Sequence, residues 1–472
     1  MTESSLALDQ GLARYPLSFT QEWFLTFDKG DDGGTFGPRF MIIGALRVSG
    51  RVDVAMLQGA LDDVVARHEL LRTVLVRDAD PPYQVVLPPC QVPLEVQDLP
   101  SAPGESRDRA VQELFLQAEA GSISSRQIPL LKARLCRFDD RDSVLLLTVH
   151  HSVSDGWSLH IIVRDLAAFY AARRAGTDAV LPPVRQYRDY AAWQRAGATS
   201  TAADGRPAYW QRKLDGAREF NIPNDHEHPD SYSRPYSMHV HHIEPEIMTA
   251  AAALATAART TVFTVVLSAY YLLAHTLTGD TDLSIRAFTA GRDESQFHDT
   301  MGLFINLVPF RTDIAACASF RDIVTATRET FVDAIANELP VNILEHALPD
   351  FITPRQDRRT SQFIIASQQG QHGDDLTFPI ADGARWANNG PLEATEAHDV
   401  PSGMVWNLAA RPGGELNGDI LYNLDEFDQE TVAGLAARLR LILASAVQAP
   451  DEDWRQLTAP HQQTKAPEQL RR

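Results

Sequence analysis

The run Val144-Leu145-Leu146-Leu147-Thr148-Val149, followed at once by His150-His151-Ser152-Val153-Ser154-Asp155-Gly156-Trp157, limits the fold more than any other stretch. The run is short, apolar and rich in Leu and β-branched residues, which predicts a strand buried on both faces. After the glycine, Leu159, Ile162, Val163, Leu166, Phe169 and Tyr170 recur at helical spacing until Gly176, with Ser158 placed to cap the helix. The two histidines and the aspartate therefore occupy a loop between a core strand and a core helix. Polar groups on loops held by a rigid scaffold are where binding and catalysis concentrate.

The same alternation recurs on both sides. Ser18-Phe19-Thr20-Gln21 fits a capping box ahead of Trp23, Phe24 and Phe27, and Asp53 caps a helix carrying Leu57, Leu61, Val64 and Val65. Strands are predicted from Met41 to Val48, Leu71 to Val76 and Tyr83 to Leu87, the last two around the turn Asp80-Pro81-Pro82. A helix over 105–120 and a strand over 130–138 lead into the central strand, a layered α/β arrangement. The Gly/Asp stretch from Asp28 to Gly37 fails the calcium-loop pattern at Gly30 and is read as a mobile loop. Between Gly176 and about Gly216 the pattern loosens, interrupted by the aromatic helical stretch Tyr187 to Gln194. The division falls here, giving lobes at 1–180 and 181–450, with the polar, Pro-containing 451–472 read as a disordered tail. In the second lobe, strands are expected at 237–243, 282–288, 361–368, 403–410 and 416–424. Helices are expected through 246–277, from Ser319 to about Asn337, and over 428–447.

Composition excludes several function classes. With 472 residues the chain is long enough for two cores. A formal charge of −19 argues against nucleic-acid binding, because an acidic surface repels phosphate. No apolar run approaches the roughly 18 residues of a membrane helix, and Met1-Thr2-Glu3-Ser4 lacks the start of a signal peptide, so the expected location is cytoplasmic, without membrane contact. Cys90, Cys136 and Cys317 are odd in number and far apart, which indicates neither a disulfide framework nor a zinc ribbon. His239 and His241 would share a strand face, but a metal site needs a third or fourth ligand, and the nearby His226 and His228 lie in a Pro/Asp-rich loop, so no metal site is expected. G-x-S-x-G, G-x-x-x-x-G-K-[ST] and G-x-G-x-x-G are all absent, which removes α/β-hydrolase and nucleotide-binding readings. What remains is chemistry that needs one histidine and no cofactor. His151 can accept and return a proton near neutral pH, and Asp155 can orient it or hold the loop. The competing reading is a pair of core histidines making structural hydrogen bonds.

His150-His151-x-x-x-Asp155-Gly156 resembles the H-H-x-x-x-D-G signature of the condensation domains of nonribosomal peptide synthetases, within a superfamily that includes chloramphenicol acetyltransferase-like, CoA-dependent enzymes. Further stretches resemble the family's motifs in order. These are Leu17 to Trp23, Arg67-His68-Glu69-Leu70-Leu71-Arg72-Thr73, Tyr187 to Gln194, and Ala290-Gly291-Arg292 with Met301 to Arg311. Weaker matches follow at Asn337 to Val341 and Arg359 to Phe363. Phe19 and Glu22 depart from the first motif, where the family more often has alanine and arginine.

The resemblance implies an α/β fold of two chloramphenicol acetyltransferase-like lobes in a V-shaped pseudo-dimer with the active site between them. It makes His151 the catalytic residue and gives His150 and Asp155 the shaping of the loop. Asp155 would be salt-bridged to Arg292 from the second lobe, Gly156 would leave room for the reacting thioester, and Trp157 and Asn306 would line the substrate channel. No cofactor or metal is bound; the donor rides on the phosphopantetheine of a peptidyl or acyl carrier protein. The acceptor is a small molecule or a second carrier-bound group, and the product an amide or ester in natural-product biosynthesis. One form is attachment of a β-amino acid to an enediyne core. With no adenylation-type loop and no L-G-G-x-S carrier site, the chain is expected to be a free-standing condensation enzyme. The alternatives are a CoA-dependent acyltransferase of the same superfamily and a non-catalytic docking module.

Overall fold

The structure is a computed structural model, described for residues 11–99, 104–201, 205–229, 236–292, 294–348, 358–368, 380–386, 403–410 and 416–459. It is mixed α/β, and its chain divides into two compact units. The first gathers Met1–Ser200, Ala290–Ile305 and His372–Asp399; the second gathers Thr201–Thr289, Asn306–Gln371 and Val400–Arg472. Both units are discontinuous, which a single division near residue 180 does not describe.

The first unit is built on a five-stranded sheet in the order Gly383–Trp386, Met41–Ser49, Asp142–His150, Leu131–Asp139, Leu94–Asp98. Asp142–His150 is the middle strand, and Val144, Leu145, Leu146, Leu147 and Val149 are all buried, as a strand covered on both faces requires. Its antiparallel partner aligns Met41 with His150, so the histidine pair stands where two core strands end together. The helix Gly156–Ala175 follows and packs against the helix Val54–Arg67. Buried Asp165 joins the two. It accepts from Arg67 Nε at 2.8 Å and lies 2.8 Å from His68 Nε2. The expected cap at Ser158 moves three residues back. Asp155 is the N-cap, accepting from the Ser158 N–H at 2.8 Å, because its carboxylate reaches the orphan donors that Ser158, already inside the helix, cannot. Gly176 ends the helix in the left-handed region at φ 66°.

In the second unit the sheet order is Asn306–Asp313, Asp282–Thr289, Thr360–Gln368, Met404–Ala410, Leu416–Asn423, Tyr236–Ile243, with Asn221–Pro223 paired to Thr360–Gln368. The helix Val262–Thr278 is apolar on nearly every side because the helices Phe320–Ala336 and Gln429–Gln448 cover what the sheet does not. The tail expected to be disordered begins instead with a short helix, Trp454–Thr458. Trp454 is fully buried in the unit's core and donates from Nε1 to the Cys317 carbonyl at 2.8 Å. Arg455 adds a bond to the Ala315 carbonyl at 2.7 Å and Arg321 pairs with Asp451 at 2.6 Å, so a segment whose composition reads as polar is docked by one aromatic side chain and the charges around it. Residues 460–472 lie outside the described residues.

The stretch from Asp28 to Gly37, expected to be mobile, is pinned. Arg77 holds Asp28 at 2.8 Å and also pairs with Asp31, which Arg126 engages in turn, and Phe36 is buried beneath the Arg77 guanidinium. Charge pairing across the sequence, invisible to local pattern, fixes it.

No single helix among the described residues is long and apolar enough to cross a membrane.

Candidate active site

The two histidines end the central strand and face different surroundings. His150 is fully buried. Its Nε2 lies 3.2 Å from the Gly37 carbonyl, and its Nδ1 accepts from the Ser152 N–H at 3.1 Å and lies 2.7 Å from the Ser152 hydroxyl. A carbonyl only accepts, so the proton of neutral His150 sits on Nε2. Burial pushes its pKa down to about 4, which keeps the ring neutral. His151 is half-buried and holds the opposite tautomer: Nδ1 lies 2.7 Å from the Ser154 carbonyl, so Nδ1 carries the proton and the lone pair is on Nε2. Its backbone N–H donates to the Phe40 carbonyl at 2.8 Å. The Phe40 ring stacks on the imidazole, with centroids 4.7 Å apart and planes at 12°, and Phe24 meets it edge-on at 6.1 Å.

Asp155 and Arg292 are adjacent. Arg292 Nη2 donates to Asp155 Oδ1 at 3.1 Å and Oδ2 at 3.2 Å, and both side chains are at least 95% buried. The guanidinium also donates through Nη1 to the Thr300 carbonyl at 2.6 Å and lies 3.8 Å above the Phe304 ring. Asp155 Oδ2 takes a further bond from the Phe304 N–H at 3.2 Å. Buried Ser158 completes the knot. Its hydroxyl lies 2.7 Å from both Asp155 Oδ1 and the Gly302 carbonyl, and accepts from the Gly302 N–H at 2.9 Å.

Arg292 was expected from a second lobe, but Ala290–Ile305 packs with the first unit. The turn that brings it there depends on Gly291, at φ 58°, where a Cβ would sit 1.9 Å from the Phe304 carbonyl oxygen. The returning segment buries Phe297 and Phe304 against Tyr190, with centroids at 5.2 and 4.4 Å. Tyr187 donates to the Leu303 carbonyl at 2.5 Å and lies 2.8 Å from the Ser18 hydroxyl. The stretches beginning at Leu17, Tyr187 and Ala290 are thus parts of one packed assembly around the histidine loop. Within it Glu22, a departure from the family pattern, pairs with Arg195 from the helix Tyr187–Thr201, whose guanidinium also covers Phe19.

Gly156 is the first residue of its helix, with Asp155 as its cap. The Trp157 indole donates to the His298 carbonyl at 3.0 Å and lies near the Arg292 guanidinium, so it braces the returning segment. Asn306 belongs to the second unit, where its amide donates to Glu338 Oε1 and the Leu339 carbonyl and accepts from the Val341 N–H, all at 2.8 Å. Its side chain holds the turn before the helix Val341–Ala347.

The structure therefore gathers His150, His151, Asp155, Gly156, Trp157 and Arg292, and sets Asn306 in the other unit. Sequence reasoning missed Phe40, Phe24 and the hydroxyl of Ser158. Only Ser158 carried a signal, its helix-start position. Among the described residues, no three His, Cys, Asp or Glu side chains are grouped to hold a metal. His226 and His228 pair with Asp428 and Glu426, at 3.0 and 2.8 Å.

Fold and site together define an α/β protein with a histidine pair on a strand-to-helix loop locked by a buried Asp–Arg pair. A model of the family described as "Condensation domain" matches residues 12–467, and the chain belongs to that family. Among curated relatives, the dimodular nonribosomal peptide synthase of Bacillus subtilis is 32% identical over 93% of this chain. Phosphinothricin tripeptide synthetase PhsB of Streptomyces viridochromogenes is 31% identical, also over 93%. The chain spans only 18% and 36% of those two proteins. Among solved structures, the SgcC5 protein of Streptomyces globisporus, in complex with (R)-(-)-1-(2-naphthyl)-1,2-ethanediol and sucrose, matches with TM-score 0.85 and 34% identity. That match covers 93% of this chain and 100% of that one. The X-domain from teicoplanin biosynthesis matches with TM-score 0.75 and 25% identity, covering 93% and 96% of the two chains.

Proposed function

We propose that the chain is a condensation-type acyltransferase, moving an acyl or aminoacyl group from a carrier-protein phosphopantetheine thioester to an amine or hydroxyl, with His151 as the catalytic residue. The observation that carries this reading is the opposite tautomers of the two histidines. His150 spends Nδ1 on Ser152 of its own loop and Nε2 on the Gly37 carbonyl and is fully buried, whereas His151 is half-buried and donates from Nδ1 to Ser154, which makes Nε2 its basic nitrogen. Such a nitrogen takes the proton from the incoming amine or hydroxyl as it attacks the thioester carbon. The tetrahedral intermediate then collapses, the C–S bond breaks, and the proton returns to the departing thiolate sulfur. Asp155 and Arg292 hold the loop without touching the reacting atoms. Gly156, opening a helix whose dipole is positive at that end, gives an unobstructed backbone beside the developing oxyanion. Trp157 braces the Arg292 segment beside this loop, and Asn306 holds the turn at 338–341 in its own unit.

The hydroxyl, ester-forming version is favoured by the likeness to SgcC5, whose structure holds an aryl vicinal diol. An enediyne diol acylated by a β-amino acid is one such acceptor. The test is mass spectrometry of products from carrier-loaded donors, with acyl-CoA donors in parallel, against amines and aryl diols. His151→Ala should lower turnover by about 10²–10⁴. A variant turning over at the wild-type rate sinks the mechanism, and acyl-CoA outperforming every carrier donor reassigns the enzyme to the CoA-dependent class.

A second reading, a docking module, is favoured by one observation: the X-domain from teicoplanin biosynthesis, which this chain resembles, was also solved in complex with OxyB. No turnover with any donor, together with a stoichiometric protein partner, would establish it in place of the first.

A further inference from the structure

The His151 ring is held at Nδ1 by the Ser154 carbonyl at 2.7 Å, and a ring held at its edge is oriented further by what packs on its face. Phe40, the residue just before the strand Met41–Ser49, packs on that face. Phe40 lies flat on the imidazole at 4.7 Å and 12°, and its own carbonyl accepts the His151 N–H at 2.8 Å. Ring and backbone of Phe40 therefore grip ring and backbone of His151 at once. Phe24 closes the cluster, edge-on to Phe40 at 5.5 Å.

The grip is only as firm as the arm that carries it, and that arm is the pinned stretch from Asp28 to Phe40. Thr35 Oγ1 donates to the Phe24 carbonyl at 2.7 Å, Ser125 Oγ to the Phe36 carbonyl at 2.8 Å, and the Ile123 N–H to the Pro38 carbonyl at 2.8 Å. Arg77 clamps Asp28 and Asp31 at the far end. The same arm supplies the Gly37 carbonyl to His150. Gly34 lets it turn, at φ 65°, where a Cβ would lie 2.2 Å from the Phe27 carbonyl oxygen.

We propose that Phe40 is a positioning residue for His151, holding Nε2 in its working orientation from an arm locked by Arg77. This rests on the acyltransferase reading for its kinetic consequence and not for its structural one. Nε2 displaced by about 1 Å costs on the order of 10²-fold in rate, so the expected loss falls on kcat.

The test compares Phe40→Leu, Phe40→Met and Phe40→Tyr with wild type in two measurements. The first is steady-state kinetics with a carrier-loaded donor. Leu and Met should lower kcat about 10- to 100-fold with KM changed less than about twofold, and Tyr, which keeps the stacked face, should retain most of kcat. The second is NMR of selectively labelled histidine, assigned by loss of the signal in His151→Ala. Leu and Met should abolish the ring-current shift of the His151 Hε1 proton and broaden its single-tautomer nitrogen shifts, while Tyr preserves both. Unchanged His151 nitrogen shifts in Leu and Met overturn the proposal. So does equal loss of kcat in all three variants at unchanged thermal midpoints. Should wild type turn over no donor, the acyltransferase reading fails, and the NMR measurement still decides the role of Phe40.

Discussion

At the scale of single residues, the Asp155–Arg292 pair is the costliest feature of the site to break. Both side chains are at least 95% buried, so neither charge has water to fall back on. Removing one partner of such a pair typically costs about 3–5 kcal/mol, because the other charge is left stranded. Arg292→Met should therefore destabilise by roughly that amount, read as a lowered urea midpoint with an unchanged slope. Asp155→Asn keeps a side chain able to cap the helix and should cost less. The double variant, with no stranded charge, should be less destabilised than the sum of the two. Additive single effects would show that Thr300, Phe304 and Ser158, and not the charge pair, hold the segment. Pairing is not the only support: the Phe304 face lies 3.8 Å from the guanidinium and stabilises a cation that solvent cannot.

At the scale of elements, the site depends on a segment that leaves the second unit's strands at Thr289 and returns at Asn306. Two glycines let it do so. Gly302 lies where a Cβ would be 2.0 Å from the Tyr187 ring, and Gly291 where it would collide with the Phe304 carbonyl. Gly291→Ala demands both a left-handed φ and a backbone shift, which together cost on the order of 2 kcal/mol or more. Gly434→Ala, where a Cβ meets nothing, should be neutral or slightly stabilising. A thermal midpoint lowered in the first and held in the second is the expected contrast. These elements also mark what the sequence could disclose. The central strand was legible because four consecutive buried apolar residues, with Val149 just beyond Thr148, have few other uses. The caps at Ser18 and Asp53 were legible because capping is local chemistry. The Asp155–Arg292 contact was legible only through family resemblance, since 137 residues separate the pair. The unit to which Arg292 belongs was not, because strand and return segment follow one another without a change in composition. Phe40 was missed for the same reason: a stack between distant residues leaves no period in either neighbourhood.

At the scale of the whole molecule, each unit buries a histidine that must stay neutral. His150 in the first unit is fully buried on the site loop. His241 in the second is 8% exposed on the strand Tyr236–Ile243, against Trp406 at 5.7 Å, with both ring nitrogens lacking a hydrogen-bond partner among the described residues. Burial pushes the pKa of each down to about 4. An unfolded histidine takes its proton near 6.5, so below that pH the unfolded chain binds more protons than the folded one. Stability is then constant above about pH 6.5 and falls as pH drops towards 4, by at most about 3 kcal/mol for each histidine. The two losses fall in different compact units, so they are separable by mutation. His241→Phe should make the acid slope of urea-unfolding stability shallower, while leaving turnover at pH 7.5 near wild type. That outcome requires space for the larger ring, which Gly418 limits, since even a Cβ there would stand 2.4 Å from the His241 ring. His241→Asn, smaller and uncharged at every pH, is therefore the companion variant. If neither changes the acid slope, the loss comes from other groups, His150 among them, and not from this imidazole. If both change it equally, the buried ring is the group that makes the second unit acid-sensitive, independent of any chemistry at His151.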